Sequence, residues 1–175
     1  MGADANTIQN INTQNRANLE VFSDPLQALA EHNRNILVVT SDSRGSGKLV
    51  PFGQRFPKQI VEVGIAEQHL VGMAAGLAAC GKTVFAVSPA CFLSARALEQ
   101  IKNDVAYSDN PVKLIGISAG VSYGALGSTH HSLHDFAVMR AIHNLTIVAP
   151  ADNFETVEAI RQAAATPKPF YLRFG

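Results

Sequence analysis

The sequence has no tryptophan, only two cysteines and no excess of either charge: 14 Lys and Arg stand against 14 Asp and Glu in 175 residues. Each shortage excludes something. Balanced charge leaves no basic footprint for nucleic acid and no polybasic patch for an anionic membrane, so neither is expected as a partner. No apolar run approaches the roughly 20 residues of a membrane span, and the first residues lack the charged-then-apolar order of a secretory signal. The expected location is therefore the cytoplasm. Cys80 and Cys91 lack metal-ligand spacing and read as buried, reduced thiols, so the Asn144-Leu145-Thr146 sequon carries no weight. What remains is a chain 16% charged and 47% hydrophobic, long enough for one domain with a full core.

Residues 1–13, rich in Asn, Gln and Thr without apolar periodicity, read as a mobile tail ahead of a single domain over residues 14–175. Ser23-Asp24-Pro25 has the composition of a helix start, a capping side chain followed by a first-turn proline. Ile36 to Thr40 is a short β-branched run of the kind found in buried parallel strands. Further strands are expected at Val61, Thr83 to Val87, Pro111 to Ser118, Leu145 to Val148 and Pro169 to Phe174. Helices are expected at Ala66 to Cys80, Phe92 to Tyr107, Leu133 to Ile142 and, capped by Asp152, Asn153 to Ala165. Alternating strands and helices predict an α/β fold: a doubly wound, mainly parallel sheet with helices on both faces. Ligands of such sheets lie beyond the carboxyl ends of the strands. Asp42, Glu67, Phe92, His130 and Arg173 all follow or end predicted strands.

The chain is organised around Ile60 to Gly81, IVEVGIAEQHLVGMAAGLAACG. A short strand passes through Gly64 and Ile65 and delivers Glu67 to the start of a helix. An acid at that position is often structural, since it complements the positive end of the helix dipole. Gly72, Ala75, Gly76 and Ala79 then recur three and four apart and form one face of small residues. Glycine in mid-helix costs about 1 kcal/mol relative to alanine, so two of them imply a packing reason, either the chain's own sheet or another subunit. Ser43-Arg44-Gly45-Ser46-Gly47-Lys48 superficially suggests a phosphate loop but lacks the P-loop spacing. Adjacent His130 and His131 face different directions and have no third ligand, which argues against a metal site.

Gly64-Ile65-Ala66-Glu67-Gln68-His69, followed by Gly72, Gly76 and Ala79, resembles the pyrimidine-binding domain of the transketolase family of thiamine diphosphate enzymes. The resemblance extends from about Asn35 to Gly175. It includes Phe-Leu-x-x-Arg-Ala-x-Glu-Gln at Phe92, Leu93, Arg96, Ala97, Glu99 and Gln100, then Gly127-Ser128-Thr129-His130, and Ala149-Pro150-Ala151-Asp152. It implies that Glu67 activates the cofactor, which requires a carboxyl that holds its proton, a state favoured by burial beside an apolar ring such as Phe92. It implies that Phe92 stacks on the aminopyrimidine, with Ile65 and Asp42 also facing the cofactor. His130 matches a histidine that exchanges protons with substrate oxygens, while Ser46 and Arg173 match positions facing the sugar and its phosphate. The small-residue face would pair subunits in a homodimer or heterotetramer.

Three departures are informative. Pro89 stands where a second ring-stacking aromatic is usual, Ser118 lies near the position of a usual histidine, and Ala125-Leu126 replaces a Glu-Asp pair. Loss of a polar partner for a substrate hydroxyl changes specificity strongly. Moreover, neither the Gly-Asp-Gly segment nor the Asn-Asn pair that holds Mg²⁺ and diphosphate in such enzymes is present. The resemblance therefore implies half of a thiamine diphosphate site, with the Mg²⁺ ligands on a diphosphate-binding partner subunit or domain. The implied reaction is transfer of a two-carbon ketol unit between sugar phosphates. A 2-oxoacid dehydrogenase beta-type subunit and a non-catalytic dimerisation module are the alternative readings.

Overall fold

The computed structural model describes residues 16–175; the expected tail, residues 1–13, lies outside them. The described chain runs α1 (Asn18–Val21), α2 (Ser23–His32), β1 (Ile36–Thr40), α3 (Val50–Arg55), β2 (Ile60–Glu62), α4 (Glu67–Ala79), β3 (Thr83–Pro89), α5 (Ala90–Arg96) and α6 (Leu98–Gln100). A π-helical segment (Ile101–Tyr107), β4 (Lys113–Ile117), a 3₁₀ turn (Gly124–Leu126), α7 (Asp135–Arg140), β5 (Thr146–Val148), α8 (Asn153–Ala165) and β6 (Phe170–Arg173) follow. The six strands form one sheet in the order β2-β1-β3-β4-β6-β5. Every pairing is parallel, for example Val38 against Ile60 and against Phe85. After β2 the chain crosses back over β1 to place β3, so strand order reverses at the β1/β3 junction, the kind of crevice where open α/β sheets bind ligands.

Alternation along the strands feeds two cores. Ile36 and Val38 point to one face, where Phe22, Leu26, Phe52, Phe85, Ile115, Ile160 and Leu172 pack beneath α2, α3 and α8. Val39, Val84, Ala86 and Leu114 point to the other, beneath α4, α5 and α7. On α4, Leu70, Val71, Ala74, Ala75 and Ala78 are buried against the sheet. The helix stops because Gly81 adopts φ +81° and the amides of Gly81 and Lys82 return to the carbonyls of Ala78 and Leu77, a Schellman closure. Gly76 is exposed, and a Cβ there would meet nothing within 4 Å; at Gly72 the nearest atom is Asp104 Oδ2 at 4.0 Å. The small-residue face is thus split: Ala75 packs on the sheet, while Gly72, Gly76 and Ala79 turn away from it.

Several local expectations are corrected. Ser23 does not cap α2; Phe22 occupies the cap position without a side-chain bond, because α1 runs almost directly into α2 and buries Ser23. The single helix expected from Phe92 to Tyr107 is three pieces. Leu93, Ala97, Ile101 and Val105 are nonetheless all fully buried. Residues four apart drift by about 40° per step on an ideal α-helix, and a wider π turn absorbs that drift. The helix expected at Leu133 to Ile142 is only Asp135–Arg140. Cys91 is buried as expected, but Cys80 is exposed at the end of α4. The cap of α8 is as read: Asp152 Oδ1 accepts from the Glu155 amide at 2.8 Å.

Candidate active site

All strands being parallel, their carboxyl ends share one edge, and the singled-out residues gather there. Gly64, at φ +73°, turns the chain out of β2, and the Ala66 amide closes that turn on the Gly64 carbonyl. Glu67 therefore opens α4 with its carboxyl at the positive helix end and only 3% exposed. Its partner is Arg96, the last residue of α5, whose Nη1 lies 3.1 and 3.2 Å from the two carboxylate oxygens. The Arg96 guanidinium in turn lies over the Phe92 ring, 4.1 Å from its centroid. Phe92 meets His130 edge-on at 5.2 Å, and Tyr123 approaches the same imidazole at 5.5 Å. Glu67, Arg96, Phe92, His130 and Tyr123 thus form one continuous chain of contacts across three strand-end segments.

β3 runs directly into α5, with no intervening loop, which fixes Phe92 in the first turn of that helix. Cys91 beside it is buried, and burial raises its thiol pKa. The loop carrying His130 is closed by reciprocal backbone bonds between Gly120 and Ser132, and Gly120 and Gly127 adopt positive φ. His130 Nδ1 shares a 3.0 Å hydrogen bond with Thr129 Oγ1. His131 turns away to the Gly124 carbonyl, and His134 Nε2 lies 3.1 Å from Ser94 Oγ on α5. No cluster among the described residues has the composition of a metal site.

The remaining predicted residues surround this chain without joining it. Ile65 is 74% exposed between β2 and α4. Asp42 sits at φ +52° after β1, and its amide donates to Glu62 Oε1 at 2.6 Å. The same oxygen accepts from the Gly64 amide, so Glu62 ties the β1 and β2 loops together. Ser46 is exposed and bonds only locally, to the Ser43 carbonyl. Its segment is not a loose surface loop, because Ser43 and Gly47 are buried and Thr40, Ser43 and Ser46 are linked. Arg173 is not a free terminal arginine. Its Nε donates to Asp135 Oδ2 at 2.8 Å, and its guanidinium covers Phe136.

Sequence reasoning missed four contributors. Arg96 stands in the recognised motif, and its spacing of four from Phe92 on a helix was the available signal. Glu62, Tyr123 and Asp135 gave none. Asp135, 1% exposed, also accepts from Tyr171 Oη at 2.9 Å. Burial and the Asp135 charge hold the Tyr171 phenol far above its ordinary pKa.

Residues 14–175 match the family described as transketolase, pyrimidine binding domain. The chain is 51% identical over 154 residues to an apulose-4-phosphate transketolase subunit of Phocaeicola vulgatus, covering 88% of this chain and 49% of that protein. It is 44% identical over 159 residues to the apulose-4-phosphate transketolase subunit of the same name from Actinobacillus succinogenes, covering 82% and 51%. The chain therefore spans about half the length of the curated relatives it matches. Among solved structures, a split gene transketolase, described as an inactive beta4 tetramer, is similar at TM-score 0.81 and 36% identity, with 91% of this chain and 50% of that one covered.

Proposed function

Since the chain belongs to the transketolase pyrimidine-binding domain family, we propose that it forms the pyrimidine-binding half of a thiamine diphosphate site. The enzyme it completes transfers a two-carbon ketol unit between sugar phosphates. The observation that carries this reading is the run from Glu67 through Arg96 and Phe92 to His130. A planar N–H donor already stacks on Phe92 while bonded to Glu67, so the two side chains suit a flat, nitrogen-bearing ring. When bound, thiamine diphosphate supplies a nucleophilic carbon and a sink for the electrons of a broken carbon–carbon bond.

The chain's own residues bind and orient. Glu67, shielded from water, presents a carboxyl to a ring nitrogen. Phe92 offers its face, and Ile65 and Asp42 flank the ring. His130, braced by Thr129, exchanges a proton with a substrate oxygen. Arg173, aimed by Asp135, and Ser46 serve the sugar phosphate. Mg²⁺ and the diphosphate are held by a partner subunit or domain, which docks over the exposed apolar residues Ile65, Val121, Leu126 and Leu133. Gly72, Gly76 and Ala79 on the outer face of α4 pair pyrimidine-binding domains as a homodimer or within a heterotetramer. The proposed location is the cytoplasm. Apulose 4-phosphate, carried in the names of both relatives, is the first sugar to test. The apolar Ala125 and Leu126 fit a substrate whose hydroxyl pattern differs from that of common ketose phosphates.

The test is calorimetry of thiamine diphosphate with Mg²⁺, for the chain alone and mixed with a candidate subunit carrying the Gly-Asp-Gly segment. Binding is expected in the mixture, and Glu67→Gln is expected to keep assembly while lowering turnover at least ~100-fold. Absence of binding in the mixture favours a non-catalytic pairing module; turnover of 2-oxoacid donors in place of ketose phosphates favours the dehydrogenase reading.

A further inference from the structure

We propose that Arg96 is a built-in competitor for the aminopyrimidine: its guanidinium fills the place between Glu67 and Phe92 and must leave before the cofactor ring enters. This rests on the thiamine diphosphate reading and goes beyond it, because it assigns a role to a residue outside the expected cofactor and substrate contacts. A guanidinium and a protonated aminopyrimidine are chemically alike at this spot. Both are planar, delocalised and cationic, and both carry N–H donors in an amidine arrangement that suits a carboxylate. Arg96 satisfies both requirements of the site at once, with Nη1 at 3.1 and 3.2 Å from the Glu67 oxygens and Cζ at 4.1 Å from the Phe92 centroid. The face of Phe92 that it covers holds one planar group, and His130 already abuts the ring edge-on.

The two partners differ in freedom. Glu67 is fixed on the first turn of α4 and is 3% exposed, whereas the Arg96 side chain is 48% exposed. Arg96 also closes α5, and Ala97, at φ −103° and ψ 16°, breaks the helix immediately after it. Arg96 is therefore the group that yields. Before loading, it keeps a buried carboxylate paired, which avoids the penalty of an isolated interior charge. On loading, the ring takes over both contacts and the guanidinium turns out to solvent.

The experiment measures the Kd of thiamine diphosphate with Mg²⁺ by calorimetry, on the complex assembled with the diphosphate-binding subunit. Arg96→Ala is expected to tighten binding by about tenfold, the combined worth of a half-exposed ion pair and a cation–π contact. Arg96→Lys, which keeps the charge but not the planar stack, should fall between the two. Methylguanidinium at tens of millimolar should return the Arg96→Ala complex toward the wild-type Kd and leave the wild type unmoved. If Arg96→Ala does not assemble, Arg96→Lys carries the test, with a Kd equal to or weaker than wild type counting against the proposal. Unchanged or weakened binding in Arg96→Ala, with binding still lost in Glu67→Ala, overturns the competitor role and leaves the cofactor reading standing. A wild-type complex that binds no thiamine diphosphate overturns both.

Discussion

Replacing Asp135 by alanine removes one acceptor from two donors at once. Asp135 is 1% exposed and Tyr171 fully buried, so the phenol that donates at 2.9 Å would be left without an acceptor in the interior. An unsatisfied buried hydroxyl costs about 1–3 kcal/mol. The Arg173 side chain is 22% exposed and can turn partly to water, so its lost 2.8 Å bond adds only about 1 kcal/mol. The expected total is about 2–4 kcal/mol, reaching the low end of the range for breaking a buried pair. At this chain length, with about 2–4 °C per kcal/mol, that lowers Tm by roughly 4–16 °C. Asp135→Asn keeps an oxygen for Tyr171 and should cost about half as much. Adding Tyr171→Phe to Asp135→Ala removes the orphaned hydroxyl and should recover about 1 kcal/mol. Urea denaturation followed by circular dichroism measures all four proteins. A loss below about 1 kcal/mol in Asp135→Ala, or no recovery in the double variant, refutes the accounting.

Lys113 is buried at the start of β4, donates to the Thr166 and Lys168 carbonyls, and is pulled by burial from 10.5 to about 8. The folded state therefore binds fewer protons than the unfolded chain between about pH 8 and 10.5. Stability from this group rises with pH across that window, by up to about 1.4 kcal/mol per unit, and is lost again as pH falls back to 8. Lys113→Met should flatten that rise relative to wild type in urea titrations at pH 8, 9 and 10; parallel profiles would count against it. Gly116→Ala should destabilise by about 2 kcal/mol, because the new Cβ would meet the Tyr171 hydroxyl and lie 2.8 Å from its Cζ while Asp135 pins the ring. A midpoint shift worth less than about 0.5 kcal/mol would show that the ring yields.

The amino-acid sequence by itself determined what depends on near neighbours. The β-branched run Ile36 to Thr40 and the Asp152 cap of α8 are each set within a few residues, and strand–helix alternation then leaves a parallel sheet with one ligand edge. Because the motif residues follow or end strands, their gathering at that edge was legible too. Tertiary structure decided what each of them touches. Glu67 and Arg96 are 29 positions apart, and Tyr171 and Asp135 36 apart, so no local pattern specifies either pair. The same holds for the corrections. Ser23 reads as a cap until α1 buries it, Cys80 reads as buried until the end of α4 exposes it, and the helix after β3 reads as continuous until packing on the sheet divides it. Propensity and periodicity fix elements, whereas burial and charge pairing are properties of surfaces that meet only when the chain has folded.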